Sequence, residues 1–313
     1  GPEVLRYEQV ELPAPAPGEA RIRHTAIGLN FIDTYHRSGL YPLPSLPAVL
    51  GREAAGVIEA VGPGVEGFQV GDRVAYPMSA GAYASERNID AAEIVRLPDA
   101  IDDRQAAAMM LKGLTAHYLL RRTYRVREGE TILVHAAAGG VGSIACQWAK
   151  HLGATVIGTV GSEEKAQLAR RYGCDHVIIY TAEDFVTRVR EITAGNGVPV
   201  VYDSVGRATF DRSLDCLSPC GLLVSFGQSS GPVPPFIIGT LASKGSLYLT
   251  RPTLATHIAA RDDLVRGAEE LFRLVSQGAV RIEVRQTFAL ADAERAHRHL
   301  ESRRTSGSTV LLP

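Results

Sequence analysis

The sequence predicts a two-domain α/β protein, in which a barrel-like β domain precedes a doubly wound parallel sheet of six strands. Three observations point to this fold class. The length of 313 residues suits two domains. Residues 1–112 are rich in Gly, Pro and short β-type runs. From 113 to 249, strand-like and helix-like segments alternate, which is typical of parallel α/β sheets.

Short strand-like runs make up the first region, and Gly-containing turns separate them. The strands predicted here are 19–26, 55–61, 73–76 and 93–97. We expect few helices in this region. The result would be a compact β domain.

The second region carries the parallel sheet. Its predicted strands are 131–135, 154–160, 176–179, 198–202, 221–226 and 246–250, and helices at 163–172 and 183–193 are among those that separate them.

The remaining residues, 250–313, hold two amphipathic helices, at 262–276 and 291–302, and an apolar strand at 308–312. We expect this tail to return to the first domain, so that 1–112 and 250–313 form one domain and 113–249 the other.

The segment 131–143 has the order of a dinucleotide-binding fingerprint. An apolar run leads into Ala137-Ala138-Gly139-Gly140-Val141-Gly142, and a helical pattern follows. This spacing is G-x-G-x-x-G with Ala at the first position. Glycines let the backbone approach a pyrophosphate, and the helix N-terminus offers N–H groups to it. We therefore expect Ala138, Gly139, Gly140 and Val141 to contact a nucleotide; a tight turn without a ligand is the alternative.

The residues at the end of the next predicted strand, 154–160, indicate whether the nucleotide is NADH or NADPH. NAD sites usually place a carboxylate there, to bind the ribose 2′-hydroxyl. Here the strand 154–160 ends in Gly161-Ser162, and Lys165 follows. Small residues and a cation suit a 2′-phosphate, so the sequence favours NADPH. Glu163 and Glu164 complicate this, unless they are helix-start acids.

Further contacts are expected where later strands end, since ligands of open α/β sheets bind at the carboxyl ends of strands. Ser204 follows the fourth strand, and Phe226, Gly227 and Ser229 follow the fifth. Ordinary turn chemistry would also place Gly and Ser there. Tyr180, beyond the third strand, could flank an adenosine or cap the sheet.

Composition fits a soluble enzyme in a reducing compartment, and we expect a cytoplasmic protein. The net charge of −1 disfavours a nucleic-acid binder that works by bulk charge. No apolar run reaches membrane-spanning length, and no signal-peptide pattern is present. The four cysteines suggest no disulfide framework. The first residue is Gly, so we expect a missing N-terminal piece.

The chain resembles the zinc-independent quinone oxidoreductases (the ζ-crystallin-like group) of the medium-chain dehydrogenase/reductase superfamily. The resemblance runs essentially end to end. Its carriers are the segments GLNFIDTY with SGLYP, then GREAAG, KGLT, HAAAGGVG, VYDSVG and SFG. It implies a GroES-like catalytic domain, a Rossmann NADPH-binding domain, a cleft between them and a homodimer. The run 245–250 could pair two copies as an edge strand.

Departures from the wider superfamily concern zinc. Zinc-dependent relatives place a Cys ligand where this chain has Asn30 and a His ligand where it has Arg52. Glu53 remains, but one carboxylate cannot hold catalytic zinc. The stretch 76–98, which corresponds to the structural-zinc lobe, has no cysteine. We therefore expect no metal, and a hydride acceptor that is already electrophilic, a quinone or a conjugated enone.

The resemblance also implies site residues. Donors at the acceptor oxygen would be Asn30, Tyr35 and Tyr41, although Asn30 could be a turn or cap residue and the tyrosines could be packing groups. Arg251, after the sixth strand, would reach either the nicotinamide or the acceptor. The 2′-phosphate would meet Lys165, Tyr180 and Arg303, with room made by Gly161. The remaining expected cofactor contacts are Phe31, Asp33, Thr115 and Ser229.

Two alternatives to quinone reduction stay open. One is an NADPH-dependent reductase of alkenal or enone double bonds, which the same site could serve. The other is a crystallin-like or RNA-binding protein with residual activity. No basic stripe with interleaved aromatics is visible, and the cluster 297–304 is better explained as a solvated helix face.

Overall fold

The computed structural model describes residues 1–302 and 304–313. The strands are β1 (Glu19–Leu29), β2 (Glu53–Val61), β3 (Arg73–Tyr76), β4 (Glu86–Asp90), β5 (Val95–Arg96), β6 (Thr131–Val134), β7 (Thr155–Val160), β8 (His176–Ile179), β9 (Val198–Asp203), β10 (Leu217–Ser225), β11 (Tyr248–Thr250), β12 (Val284–Ala289) and β13 (Ser308–Leu312). The α-helices are α1 (Phe31–Arg37), α2 (Asp103–Tyr118), α3 (Gly140–His151), α4 (Glu163–Arg171), α5 (Phe185–Ile192), α6 (Phe210–Leu214), α7 (Gly239–Ser243), α8 (Leu254–His257), α9 (Arg261–Ser276) and α10 (Ala293–Glu301). Short 3-10 turns occupy Pro2–Val4, Ala91–Glu93 and Leu290–Asp292, and a π turn, Leu119–Thr123, follows α2.

The chain divides into two compact units. Unit 1 comprises Gly1–Leu114, His257–Gly278 and Ile282–Pro313, and unit 2 comprises Thr115–Thr256 and Ala279–Arg281. The chain passes from unit 1 to unit 2 within α2 and returns within α8.

A mostly antiparallel sheet organises unit 1. Within the described chain its order is β12-β13-β1-β2-β3-β5, and β4 also pairs with β1. The tail strand β13 lies antiparallel to β1, with Val310 opposite Gly28, so the C-terminal segment is part of this sheet. Ile22, Ile27 and Tyr76 lie in its core and are fully buried.

Several elements of unit 1 were not predicted from the sequence, namely α1, α2, β4 and β12. Strand β4 was not predicted because its run is mostly polar, and only Ile89 in it is buried. Helix α2 was also not predicted. Residues 106–110 are completely buried, so the helix has no polar face there to produce a 3.6-residue pattern. The predicted strand 93–97 shortens to β5, because Ala91–Glu93 forms a 3-10 turn.

Unit 2 is a parallel sheet with the order β11-β10-β9-β6-β7-β8 among the described residues. Every pairing is parallel, and the order reverses between β6 and β9, which is the doubly wound arrangement. The predicted six-stranded sheet is thus confirmed. Trp148 on α3 is fully buried and anchors that helix in the unit. Strands β8 and β11 lie at the two edges.

Candidate functional site

The loop between β6 and α3 has the form of a phosphate cradle. Gly139 is the N-cap of α3. A Cβ on Gly142 would lie 2.2 Å from the carbonyl oxygen of Ala136, so only glycine lets the helix start this close to the loop. Ala136 itself has a φ of 53°, in the left-handed region. The first amides of a helix have no acceptor within it, so this turn presents N–H donors and a positive dipole end to an anion.

The tip of β7 carries no carboxylate. The Ser162 hydroxyl accepts a hydrogen bond from the backbone N–H of Lys165 at 3.3 Å and so caps α4. Glu163 is exposed, and its carboxylate forms an ion pair at 3.1 Å with Arg170 on the same helix. Lys165 is half-buried, and burial lowers the pKa of its ammonium group. A partly desolvated cation beside a small-residue turn fits a 2′-phosphate.

Tyr180 lies close to this turn. Its side chain is half-exposed, and a Cβ on Gly161 would lie 2.6 Å from its hydroxyl oxygen. The absence of a side chain at Gly161 therefore lets the tyrosine ring lie against the backbone. The structure brings Gly161, Lys165 and Tyr180 to one strand end. Arg303, the fourth residue expected here, lies outside the described residues.

The ends of β9 and β10 meet in one corner. The backbone N–H of Ser229 donates to the carbonyl of Ser204 at 3.2 Å. A Cβ on Gly227 would lie 2.6 Å from that same carbonyl, which explains the glycine. Phe226 is half-buried beside them. The turns predicted to contact the cofactor are therefore joined in space.

Asp203, at the end of the fourth predicted strand of unit 2, stabilises this corner. Its carboxylate is fully buried and accepts from the backbone of Val205 at 2.7 Å and of Gly206 at 3.1 Å. Thr209 and Ser213 donate their hydroxyls to it at 2.7 and 3.1 Å. The position at the end of a buried strand was the available signal. Its role here is to hold the turn.

Arg251 sits behind the same corner. One terminal nitrogen of its guanidinium group donates to the carbonyls of Ser225 at 2.8 Å and Gly227 at 2.9 Å. These contacts brace the turn after β10. Thr115, the other unit 2 residue expected at the site, is buried in α2. His135 is buried and hydrogen-bonded to Thr159 and Ser213 at 2.8 and 3.0 Å.

In unit 1, Asn30 is both a cap and part of a buried polar cluster. It precedes α1 as the N-cap, and its backbone N–H donates to Asp33 at 2.8 Å. Its side-chain Nδ2 donates to Glu53 Oε1 at 2.8 Å. Asn30 can therefore cap α1 and also belong to the site, because its backbone N–H contacts Asp33 and its side-chain amide contacts Glu53.

Glu53 is the centre of this cluster. It is fully buried, and Lys112 donates to its Oε1 at 2.5 Å while the backbone of Leu111 donates to its Oε2 at 2.7 Å. A Cβ on Gly28 would lie 2.4 Å from Glu53, so the glycine makes room for the carboxylate. With Asn30, three donors face the two oxygens of Glu53, so both oxygens act as hydrogen-bond acceptors.

Asp33 heads a second chain of hydrogen bonds. Burial raises the pKa of its carboxyl group to about 7. The Tyr83 hydroxyl donates to Asp33 at 3.1 Å and contacts His297 Nε2 at 3.0 Å. Arg37 contacts His297 Nδ1 at 2.9 Å and pairs with Glu301 at 2.6 Å. Because Arg37 can only donate, His297 carries its proton on Nε2. This chain of hydrogen bonds joins α1 to α10. The prediction that His297 lies on a solvated helix face is wrong, because the side chain is fully buried.

The two tyrosines proposed at the acceptor site lie together. Tyr35 and Tyr41 have ring centroids 5.2 Å apart in an edge-to-face arrangement, and Phe31 is 6.4 Å from Tyr35. The backbone N–H of Tyr41 donates to the carbonyl of Tyr35 at 3.1 Å. Both side chains are partly buried and together they form an aromatic wall.

Among the described residues, no three His, Cys, Asp or Glu side chains lie close enough together to hold a metal ion. Asn30 and Arg52 stand where the resemblance places a Cys and a His ligand, and both oxygens of Glu53 are already bound to protein donors. None of the described helices combines the length and the apolar character that crossing a bilayer requires.

Family models match both parts of the chain. Residues 16–126 match the alcohol dehydrogenase GroES-like domain, and residues 140–264 match the zinc-binding dehydrogenase model. A GroES-like domain joined to a Rossmann unit with a glycine-rich turn defines a medium-chain dehydrogenase/reductase.

Relatives that match the chain over its full length show which family within this superfamily it belongs to. A quinone oxidoreductase of Pseudomonas aeruginosa is 58% identical over 100% of this chain and 97% of its own length. A crystal structure of Escherichia coli quinone oxidoreductase complexed with NADPH superposes with a TM-score of 0.99 at 54% identity, covering 100% of this chain and 97% of that one. A 2-haloacrylate reductase of a Burkholderia species is 47% identical over 100% of this chain and 96% of its own length. The chain belongs to the quinone oxidoreductase family, as its sequence motifs predicted.

Proposed function

We propose that this chain is an NADPH-dependent quinone reductase that needs no metal and works in the cytoplasm. The observation that carries the proposal is the set of groups at the nucleotide edge of unit 2: a glycine-rich turn into α3, and Lys165 beside a strand tip without a carboxylate. Full-length similarity to quinone oxidoreductases supports the same activity.

The cofactor residues divide by the part of NADPH that they would hold. Backbone amides of Ala138, Gly139, Gly140 and Val141 bind the pyrophosphate. Lys165 and Tyr180, with Arg303, bind the 2′-phosphate, and Gly161 leaves space for it. The other proposed contacts are Phe31, Asp33, Thr115, Ser204, Phe226, Gly227 and Ser229.

When bound, NADPH supplies a hydride from its nicotinamide ring. The acceptor oxygen gains negative charge as the hydride arrives, so donors near it lower the barrier. Asn30 is fixed for this role, since Glu53 holds one N–H of its amide group and the second remains for a ligand. Tyr35 and Tyr41 add hydroxyl donors and an aromatic wall for the ring. Arg251 supports the site by holding the turn at Gly227.

Reduction of an activated carbon–carbon double bond is the second candidate. The similarity to 2-haloacrylate reductase favours it, because that relative is 47% identical over the whole chain. Both reactions deliver a hydride to an electrophilic carbon. Turnover of 1,4-benzoquinone and of a short 2-alkenal, compared at equal NADPH concentration, separates the two. No NADPH oxidation with the quinone would refute quinone reduction.

Lys165→Glu tests the cofactor assignment. We expect the KM for NADPH to rise by about 10- to 100-fold, since the variant removes a charged hydrogen bond to the phosphate and adds repulsion. The KM for NADH should change far less. Lys150→Glu makes the same charge change at an exposed, ion-paired position of unit 2 and serves as the control. Equal losses with both coenzymes would contradict a phosphate role.

We also propose a homodimer that forms through strand β11. This strand is an edge of the described sheet, and Tyr248 and Leu249 on it are 62% and 37% exposed. An uncovered edge with apolar side chains is a surface that a second copy can extend by strand pairing.

A further inference from the structure

Arg52 has an unusual set of partners for a half-buried arginine. It stands directly before β2, next to Glu53. Its Nη1 donates to the carbonyl of Met78 at 3.0 Å, and its Nη2 contacts His36 Nε2 at 2.8 Å. Both acceptors are uncharged. Within the described part of the chain, no carboxylate lies at ion-pair distance from this guanidinium group.

His36 is held neutral by its two contacts. Arg52 can only donate, so Nε2 of His36 accepts and the ring proton is on Nδ1. Nδ1 then donates to the carbonyl of Tyr41 at 3.1 Å. Burial, followed by the charge of Arg52, lowers the pKa of His36. The histidine therefore orients Arg52 without neutralising it.

A second cation lies nearby. Arg87 donates to the carbonyl and hydroxyl oxygens of Ser79, at 3.3 and 3.2 Å, beside the Met78 carbonyl that Arg52 uses. Arg87 also lacks a carboxylate partner among the described residues. Burial is the main cause that lowers the pKa of Arg52; Arg87 adds to this effect, while Asp33 and Glu93 oppose it from beyond ion-pair distance.

The position of Arg52 links this charge to the proposed acceptor residues. His36 follows Tyr35 on α1, and it also bonds to the backbone of Tyr41. On the other side, Glu53 holds the amide of Asn30. Arginine has five N–H donors in a planar fork, and Arg52 uses only two of them on protein groups, which leaves donors for a ligand.

We propose that Arg52 determines acceptor specificity, by giving the site a preference for acceptors that carry a carboxylate near the electrophilic carbon. The inference rests on the proposed quinone reductase function. A carboxylate is the group that a guanidinium fork binds best, and an arginine already paired with an acid would offer no such preference. Arg52 acts here on binding and does not take part in hydride transfer.

The test compares a naphthoquinone carboxylate with its uncharged methyl ester, using the full-length protein and NADPH. For Arg52→Gln we expect kcat/KM for the carboxylate to fall about 10- to 100-fold, and kcat/KM for the ester to stay within about threefold. Arg52→Lys should recover part of the loss, since it keeps a point charge without the fork. Added salt should weaken the wild-type preference for the carboxylate.

Arg23→Gln is the matched control, because it removes one positive charge from an exposed position of unit 1 where the arginine pairs with Glu59. It should change neither substrate. Equal losses for both substrates in Arg52→Gln, with the CD melting profile unchanged, would show a structural role and overturn the inference. A raised KM for NADPH in Arg52→Gln would show that Arg52 binds the coenzyme, and this result would also overturn the inference. If the wild-type protein does not reduce the ester, the proposed quinone reductase function, on which this inference rests, is refuted instead.

Discussion

Glu53 and Lys112 form a buried ion pair, and breaking it from either side should be costly. Glu53 is 0% exposed and Lys112 is 5% exposed. Glu53→Gln leaves one acceptor oxygen where the carboxylate offered two, and the amide NH2 must then face a donor, either the backbone of Leu111 or the pair Asn30 and Lys112. The substitution also leaves the Lys112 ammonium without a counter-charge.

The magnitude follows from these contacts. Removing one partner of a buried ion pair typically costs about 3–5 kcal/mol, because the remaining charge stays desolvated. Lys112→Met should cost a similar amount, since it leaves the Glu53 charge with only two donors. The double variant Glu53→Gln/Lys112→Met removes both charges. We expect it to cost about as much as either single variant, which corresponds to a coupling energy equal to one single cost, about 3–5 kcal/mol.

Urea unfolding followed by far-UV CD measures these differences. Trp148, the single tryptophan, lies in unit 2, so its fluorescence reports the other unit. The exposed pair Arg23–Glu59 supplies the control. Glu59→Gln should change the free energy of unfolding by less than about 1 kcal/mol, since exposed ion pairs contribute little.

Two outcomes would refute the reasoning. If Glu53→Gln is no more destabilising than Glu59→Gln, the pair is not desolvated in solution. If the double variant loses the sum of the two single losses, the two side chains do not interact.

The remaining predictions concern pH and assembly. Burial raises the pKa of Asp33 from 3.8 to about 7, so between these values the folded chain binds a proton that the unfolded chain releases, and stability falls as pH rises, by about 4 kcal/mol in all. Asp33→Asn should remove that part of the slope in urea unfolding measured across this pH range; an unchanged slope would show that Asp33 does not cause it. Leu249→Asp on β11 should convert the proposed dimer to a monomer in sedimentation velocity, whereas His176→Asp on the opposite edge strand should not. A dimer that persists in Leu249→Asp would place the interface elsewhere.

Much of unit 2 followed from local patterns. Parallel strands buried on both faces give continuous apolar runs, and the glycine turn after β6 is demanded by the approach of the Ala136 carbonyl to Gly142. These are short-range requirements, so the sequence shows them directly. Helix α2 was not predicted for the opposite reason. Its central residues, 106–110, are buried on every side, so the sequence lacks the alternation of polar and apolar faces that marks an amphipathic helix.

The candidate site divides in the same way. The glycine turn, Lys165 and Asn30 could be named from spacing and from a resemblance in motifs. The hydrogen-bond and ion-pair partners of the unit 1 residues could not be predicted in this way. Asp33 reaches His297 through Tyr83, and Glu53 meets Lys112, only because strands and helices distant in sequence pack together.

The amino-acid sequence by itself determined the fold class, the glycine-rich turn after β6 and the family, because each depends on residue types within short stretches. Only the tertiary structure decided how the charges are balanced. Long-range contacts bring Lys112 to Glu53 and leave Arg52 without an acidic partner among the described residues, and burial raises the pKa of Asp33. Electrostatic energies depend on distance and on exclusion of water, and a sequence specifies neither until the chain has folded.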